Sequence, residues 1–265
     1  MNQPAMIKPI DSSGSKGVAK VFDAENFRTA YDNAIKYSTS KKIIVEEFIQ
    51  RQGYQITGDG FLVDGKLQHT FFMDGHRSKF CNPFVPIGNS YPSSLPKKFQ
   101  EKALLELQRL MTCLKMNTGA INWDLTFDEN DDVYIIEVGV RNGGNLISDA
   151  IKESCGVDLP KFTIMAALGM DCSNLKELPI KNFVSSYIMH PLADGNFKFL
   201  RISDKLKKNI TRSDLFVKPG DKVYRFENSS FAIGAMLLKF DSLEEMNYYV
   251  DNMESYIECV LEKDC

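Results

Sequence analysis

Two short apolar runs, Met6-Ile7-Lys8-Pro9 and Val18–Phe22, flank a polar glycine loop, Asp11-Ser12-Ser13-Gly14-Ser15-Lys16-Gly17. Such runs on either side of turn residues predict strand, loop and strand. Asp23 suits the N-cap of a following helix whose Phe27, Ala30, Tyr31, Ala34 and Ile35 share one face. Ile43-Ile44-Val45 is β-branched and predicts a short strand. Phe61-Leu62-Val63 and Lys66-Leu67-Gln68 surround Asp64-Gly65, the dipeptide favoured in primed hairpin turns. Cys81–Pro96 is rich in Pro, Gly and Ser and predicts a loop. Lys97–Met116 carries Ala103, Leu107, Leu110, Met111 and Leu114 at helical spacing. Strands are predicted at Ile121–Phe127 and Val133–Val140, and a largely helical stretch at Ile151–Leu168. After Pro179 the pattern turns to strands at Phe183–Met189, Phe197–Ile202, Lys222–Phe226 and Ile233–Phe240, then to a final helix from Leu243 to Leu261. Strands and helices mix without strict β-α-β alternation, which predicts an α+β fold.

Composition narrows the function classes. Hydrophobic residues make up 43% and charged residues 25% of 265, which argues for a packed chain of one large or two modest domains. Thirty-two Lys and Arg against 35 Asp and Glu leave a net charge of −3, so no bulk attraction to nucleic acid or an anionic membrane is expected. Cysteines at 81, 113, 155, 172, 259 and 265 form no CxxC pair and read as reduced thiols. The longest apolar-rich stretch, Phe162–Met170, falls short of the ~18 residues that a membrane span needs. These features predict a cytoplasmic chain.

Chemistry concentrates in two places. The first is the glycine loop, where backbone N–H groups from Ser12 to Gly17 can converge on phosphate oxygens, with Lys8 just behind. It is not a P-loop, because Lys16 is followed by glycine and by a strand. A flexible hairpin tip is the other reading of such a loop taken alone.

The second place is Ile121–Val140. In Ile121-Asn122-Trp123-Asp124-Leu125-Thr126-Phe127 apolar and polar residues alternate without exception. With a turn at Glu129–Asp132, Asp128 would pair with Val133, and Asp124 would lie across from Glu137. Opposed residues have Cβ atoms about 4.5–5.5 Å apart, and like charges there are destabilising by themselves. A hard divalent ion, a shared proton or a solvated hairpin face would each resolve the pair. Glu137 interrupts the apolar run Val133-Tyr134-Ile135-Ile136-Val138, which favours the metal. Arg141-Asn142-Gly143-Gly144-Asn145 then supplies a fixed cation and a flexible backbone, suited to a carboxylate or phosphoryl group.

In this order the pieces resemble the ATP-grasp superfamily, in its branch of carbamoyl-phosphate-synthase-like and L-amino-acid-ligase-like proteins. The matching segments are Ile7-Lys8-Pro9 with Asp11–Val18, Val45-Glu46-Glu47-Phe48-Ile49, Gly119–Asp124, Ile136–Asn145 and Cys155-Gly156-Val157-Asp158-Leu159. The resemblance implies an ATP-grasp fold of two α+β lobes around a nucleotide cleft. It places a small lobe at 1–50, a large lobe at 51–178 and a small C-terminal α+β domain at 179–265. It implies a ligase that joins a small-molecule carboxylate to an amine or related nucleophile through an acyl phosphate, using ATP and Mg²⁺, with Mn²⁺ as a substitute. A nucleotide-binding module without turnover is the alternative.

Residue by residue, the resemblance assigns the ATP phosphates to Lys8 and to Ser12, Ser13, Gly14, Ser15, Lys16 and Gly17. The adenine amino group falls to Glu46, and the ring edge to the hinge Glu47, Phe48 and Ile49. Metal ligation falls to Asp124 and Glu137, with Asn145 as a third donor, and charge stabilisation to Arg141. The histidines at 69, 76 and 190 are not required, although His76-Arg77 suits the substrate site.

Three departures from the family pattern stand out. Gly139 occupies the position where Asn often follows the second acid, with Asn145 or Asn142 as replacements. Gly53-Tyr54-Gln55 lacks the usual acid. The Rossmann-like domain and helical segment that usually precede the Lys-Pro strand have no counterpart in this sequence. The last departure predicts dependence on an upstream polypeptide or on self-association.

Overall fold

The computed structural model describes residues 4–176 and 178–262. The chain opens with β1 (Ala5–Pro9), β2 (Ala19–Val21), α1 (Ala24–Tyr37) and β3 (Ile43–Glu47). It continues through β4 (Gln55–Val63), β5 (Lys66–Arg77), β6 (Pro86–Tyr91), α2 (Lys97–Cys113), β7 (Gly119–Phe127) and β8 (Val133–Gly139). Helices α3 (Ile147–Cys155) and α4 (Leu159–Ala167) precede β9 (Phe183–Met189), β10 (Gly195–Ile202) and the short α5 (Asp204–Lys207). The remainder comprises β11 (Ile210–Leu215), β12 (Lys222–Val223), β13 (Gly234–Phe240), α6 (Leu243–Val250) and β14 (Ile257–Leu261).

The first lobe is a three-stranded antiparallel sheet, β2-β1-β3, covered by α1. Asp23 caps α1 as the sequence predicts, its Oδ1 accepting from the Asn26 N–H at 2.8 Å. Ile7 and Val21 meet Ala30 and Ala34 in its core.

The second body is an eight-stranded antiparallel sheet in the order β11-β13-β9-β6-β5-β4-β7-β8. Helix α2 covers one face, where Leu107 and Met111 pack against Ile121, Trp123 and Leu125. Helices α3 and α4 cover the other, where Ile151 and Leu159 meet Phe61, Met73 and Ala120. The strict alternation along β7 sends odd positions to α2 and leaves Asn122 and Asp124 on the opposite side. Residues after 179 supply β9, β13 and β11 to this sheet and build a separate sheet, β12-β10-β14, over a core of Phe197, Phe226, Met236 and Met246.

The structure corrects three sequence-based expectations and adds one strand that the sequence did not predict. Cys81–Pro96 is not all loop: β6 lies inside it, between β5 and β9. Its small polar residues fit because the strands come close: a Cβ on Gly88 would sit 2.3 Å from the Ser186 carbonyl oxygen. The predicted helix Leu243–Leu261 ends at Val250, and Ile257–Leu261 pairs instead with β10. Ile257 and Val260 keep helical spacing from α6, but as β-branched residues they suit a sheet equally well. Ile151–Leu168 is two helices, broken at Gly156 in the left-handed region (φ +81°). Strand β11 carries a polar sequence that gives no strand pattern.

The predicted primed turn is present, with Asp64 and Gly65 at φ +49° and +78°. Cys81, Cys113, Cys172 and Cys259 are free thiols, and Cys265 lies outside the described residues. No helix among the described residues is long and apolar enough to cross a membrane.

Candidate functional site

Strands β7 and β8 set the two acids face to face: Asp124 pairs directly with Glu137. The route to that register differs from the sequence expectation. Phe127, not Asp128, pairs with Val133, because the turn is closed by Asp128, whose Oδ1 accepts from the Asn130 and Asp132 N–H groups at 2.9 Å. A bulge between the Leu125–Ile135 and Asp124–Glu137 pairs then absorbs one residue of β8 and restores the opposition.

Burial against the surrounding protein and the charge of Asp124 raise the Glu137 carboxyl above its usual range, while Arg141 and Lys8 pull it back. On the other side Asp124 lies within electrostatic reach of Arg77. Basic residues from both lobes thus surround the acid pair, so the like-charge repulsion is partly offset without a metal.

Arg141 is positioned by the backbone after β8. Its guanidinium donates to Asn122 Oδ1 and to the Asn142 carbonyl, both at 3.0 Å. A Cβ at Gly139 would meet the Arg141 Cζ and Nε at 3.4 Å, an ordinary contact, so a side chain there would pack against the guanidinium. The turn itself hangs on a residue the sequence analysis missed. Asp59, fully buried on β4, accepts the Gly143 N–H with both oxygens (2.8 and 3.0 Å), the Asn122 amide (3.0 Å) and the Ser148 hydroxyl (3.1 Å). Burial raises its pKa, and those donors oppose the shift. A side chain at 143 would put its Cβ 2.7 Å from Asp59 Oδ1, so the close approach requires glycine. The signal was available: Asp59 sits amid the buried run Ile56–Val63, much as Glu137 interrupts its own strand.

The third donor is less well placed. Asn145 is exposed, on left-handed backbone (φ +55°), and no hydrogen bond among the described residues ties it to the acid pair. The Asn142 side-chain oxygen is taken by the Thr163 hydroxyl at 2.7 Å. No cluster of three or more His, Cys, Asp or Glu that could hold a metal ion occurs among the described residues, so the carboxylates on offer are the opposed Asp124 and Glu137. That set fits Mg²⁺, which binds through one or two carboxylates and completes its shell with water and phosphate oxygens.

Lys8 links the lobes. Its ammonium contacts the Glu46 carboxylate across β1 and β3, and it acts electrostatically on Glu137. The hinge following β3 is fixed by the Phe48 N–H donating to the Pro4 carbonyl at 3.0 Å and by Lys20 lying 3.4 Å over the Phe48 ring. Glu47 is exposed and Ile49 half-buried.

The glycine loop is anchored at two points. Ser15 Oγ donates to the Phe84 carbonyl at 2.8 Å, and the Ser229 N–H donates to the Gly14 carbonyl at 3.2 Å. Gly14, Ser15 and Gly17 adopt positive φ (64°, 60° and 73°). Ser12 and Ser13 are exposed and Lys16 half-buried. The structure thus brings Lys8, Glu46, Asp124, Glu137 and Arg141 into one linked group, and lays the loop against the residue 84 and 229 segments.

The ATP-grasp domain family matches residues 1–149. The uncharacterised protein y4rH of Sinorhizobium fredii is 26% identical over 230 residues, covering 84% of this chain and 46% of that protein. The C-terminal section of the carbamoyl phosphate synthase large chain of Methanopyrus kandleri is 26% identical over 176 residues, 63% of this chain and 31% of its own length. The chain therefore spans less than half the length of these relatives. Among solved structures, the L-amino acid ligase of Bacillus licheniformis superposes with a TM-score of 0.82 at 21% identity, over 99% of this chain and 64% of that one. With the family matching more than half its length and the fold shared throughout, the chain belongs to the ATP-grasp family.

Proposed function

We propose that the chain is the nucleotide-binding core of an ATP- and Mg²⁺-dependent ligase that joins a small-molecule carboxylate to an amine or related nucleophile. The observation that carries this reading is the Asp124–Glu137 opposition, flanked by Arg141 and Lys8 from opposite sides of the cleft. In this reading Lys8 and the N–H groups of 12–17 hold the phosphates, and Glu46 with the 47–49 backbone holds the base. Asp124 and Glu137 hold Mg²⁺, which neutralises phosphoryl charge when bound.

The substrate carboxylate attacks the γ-phosphorus, ADP leaves, and the nucleophile displaces phosphate from the resulting acyl phosphate. Arg141, fixed by Asn122, stabilises the charge on the transferring group. Catalysis of this kind is positioning and electrostatics, so no side-chain proton donor is required. The greater length of the relatives supports a further domain or partner chain working with this one, and the free thiols support a cytoplasmic setting. The test is calorimetric titration with Mg·ATP. Lys8→Ala should weaken binding on the order of tenfold, about 1.4 kcal/mol. Unchanged affinity would overturn the assignment.

Closure of the loop supplies a second expectation. A Cβ at Gly14 would fall 1.7 Å from Ser229 Oγ, and the residue would have to hold φ +64°. Left-handed backbone costs about 1–2 kcal/mol for a residue with a side chain. Gly14→Ala should therefore weaken nucleotide binding by roughly tenfold, and adding Ser229→Gly should recover part of the loss. A double variant no better than the single one would show that the loop does not close against Ser229.

The acid pair also predicts a pH dependence. With its pKa raised, Glu137 keeps its proton to higher pH than an ordinary glutamate, and a metal must displace that proton. Mg²⁺-dependent nucleotide affinity should climb as pH rises through the raised value and level off above it. Flat affinity across pH 4–7 in the same titration would exclude Glu137 as a ligand.

A further inference from the structure

A cavity of about 430 Å³ opens between the segment after β3, the end of β5 and the turn that follows α6. Its lining includes Arg51, Tyr54, His76, Arg77, Asp251 and Glu254. Both arginines line it, the charge of Arg51 disfavours that of Arg77, and among the described residues neither has a carboxylate oxygen within 4.0 Å. Arg77 is half-buried and held in place, donating to the His76 carbonyl at 3.0 Å and to Gln55 Oε1 at 2.8 Å. Two guanidinium groups on a partly desolvated wall, neither in a direct ion pair and only Arg77 eased by the charge of Asp124, form an arrangement that a bound anion would stabilise.

The opposite wall is already committed. Glu254 receives the Ser78 hydroxyl at 2.5 Å, contacts His190 Nε2 at 3.1 Å and takes the Lys79 N–H at 3.3 Å. Asp251 accepts the Tyr54 hydroxyl at 2.6 Å, and its carbonyl takes the Lys79 ammonium at 2.7 Å. These bonds pin the turn after α6 to β5, so the cavity is preformed. His76, hydrogen-bonded to Ser90 and pushed down to about 3 by burial and by Arg77, adds no positive charge at neutral pH. The anion-seeking charge is therefore that of Arg51 and Arg77.

We propose that this cavity is a specificity subsite for a second anionic group, carboxylate or phosphate, on the substrate whose reacting carboxylate lies at the acid pair. The inference rests on the proposed ligase reading and adds the substrate class: an acid carrying two negative groups. Arg77, in electrostatic contact with Asp124, joins the subsite to the reaction centre, so one small molecule can reach both. Bidentate guanidinium pairing with a planar carboxylate or a phosphate fits the fork geometry of either arginine.

The experiment titrates the full chain, loaded with Mg²⁺ and a non-hydrolysable ATP analogue, with glutarate, with butyrate and with inorganic phosphate. Wild-type protein is compared with Arg51→Gln and Arg77→Gln. Glutarate or phosphate should bind at least tenfold more tightly than butyrate, and that preference should vanish in both variants. Arg51 is exposed, so its variant carries the test if Arg77→Gln does not fold. Equal affinity for butyrate and glutarate with no phosphate binding, or an undiminished anion preference in Arg51→Gln, would overturn the subsite. Analogue affinity is read separately in the same samples. Its loss in wild-type protein would count against the ligase reading, whereas normal analogue affinity without anion preference counts against the subsite alone. The relative strength of the glutarate and phosphate arms identifies which anion the arginines select.

Discussion

Glu137→Gln is expected to abolish Mg²⁺-dependent nucleotide binding while leaving the metal-free chain at least as stable as wild type. The two halves of this result have one cause. Glutamine keeps the shape of glutamate, so the β7–β8 pairing and the packing of Val133, Ile135 and Val138 against α2 are undisturbed. It removes the charge that sits opposite Asp124 in a site where burial already penalises it. An acid whose pKa is raised by folding contributes stability at low pH and loses it as pH rises through the raised value. Without that group, the metal-free variant should show a flatter stability profile between the ordinary glutamate range and the raised Glu137 value, where the wild-type chain loses stability as pH rises. Mg²⁺, by contrast, loses one of its two carboxylates. We expect the metal-dependent part of nucleotide affinity to fall on the order of 100-fold, about 2.7 kcal/mol. Calorimetry with and without Mg²⁺, paired with thermal melts, measures both halves. Full Mg·nucleotide affinity in a folded variant would make the acid pair a solvated hairpin face.

Legibility in the sequence followed how local the determining physics is. The Asp23 cap, the Asp64-Gly65 turn and the alternation along β7 depend on neighbours within a few residues, and each is found where the pattern puts it. The Asp124–Glu137 pair was legible for a less secure reason: the expected turn was one residue out, and the bulge in β8 compensated. Nothing local encodes that compensation. Strand β6 was hidden because its Gly88-Asn89-Ser90 core is polar. Those groups are satisfied only across the sheet, by Ser186 and His76. The end of α6 was hidden because Ile257 and Val260 suit a helix face and a strand alike, and only β10 decides between them.

Arg51 went unassigned for the same reason, and Arg77 was placed at the substrate site without its neighbour. Their sequence neighbourhoods are ordinary, and their meaning comes from proximity to each other and to Asp124, across elements far apart in the chain. The Lys8–Glu46 contact was half legible. Both residues were singled out, but their pairing depends on the β1–β3 register, which sets Met6 opposite Glu46 and Lys8 two residues along β1, diagonal to Glu46 on the same face.

Asp59→Ala should destabilise the chain by about 3 kcal/mol and weaken whatever Arg141 contributes at the site. Asp59 ends a relay in which its oxygen orients the Asn122 amide, and the Asn122 oxygen in turn receives the Arg141 guanidinium. A second branch runs through Gly143, whose N–H both Asp59 oxygens accept, and fixes the turn from which Arg141 departs. Simple addition of these charge-assisted bonds would overstate the effect. Burial raises the Asp59 pKa, which shows that desolvation opposes the ionised form and offsets part of what the bonds supply. What truncation cannot recover is the partnering of the Gly143 N–H and the Ser148 hydroxyl, left without their acceptor in a dry site, while the Asn122 amide keeps only its bond to the Gly58 carbonyl. Asp59→Asn keeps the volume and one acceptor but turns an NH₂ toward those donors, so it should cost about 2 kcal/mol by the same reasoning. Urea unfolding measures the stability terms. Mg·nucleotide titration of the folded fraction separates the positioning role, because Asp59 touches neither the acid pair nor Lys8 by hydrogen bond. Nucleotide affinity should drop less than fivefold in Asp59→Asn, while ADP release in the presence of substrate falls on the order of 100-fold through displacement of Arg141. Wild-type stability in both variants would show that the buried carboxylate does not hold the 141–145 turn.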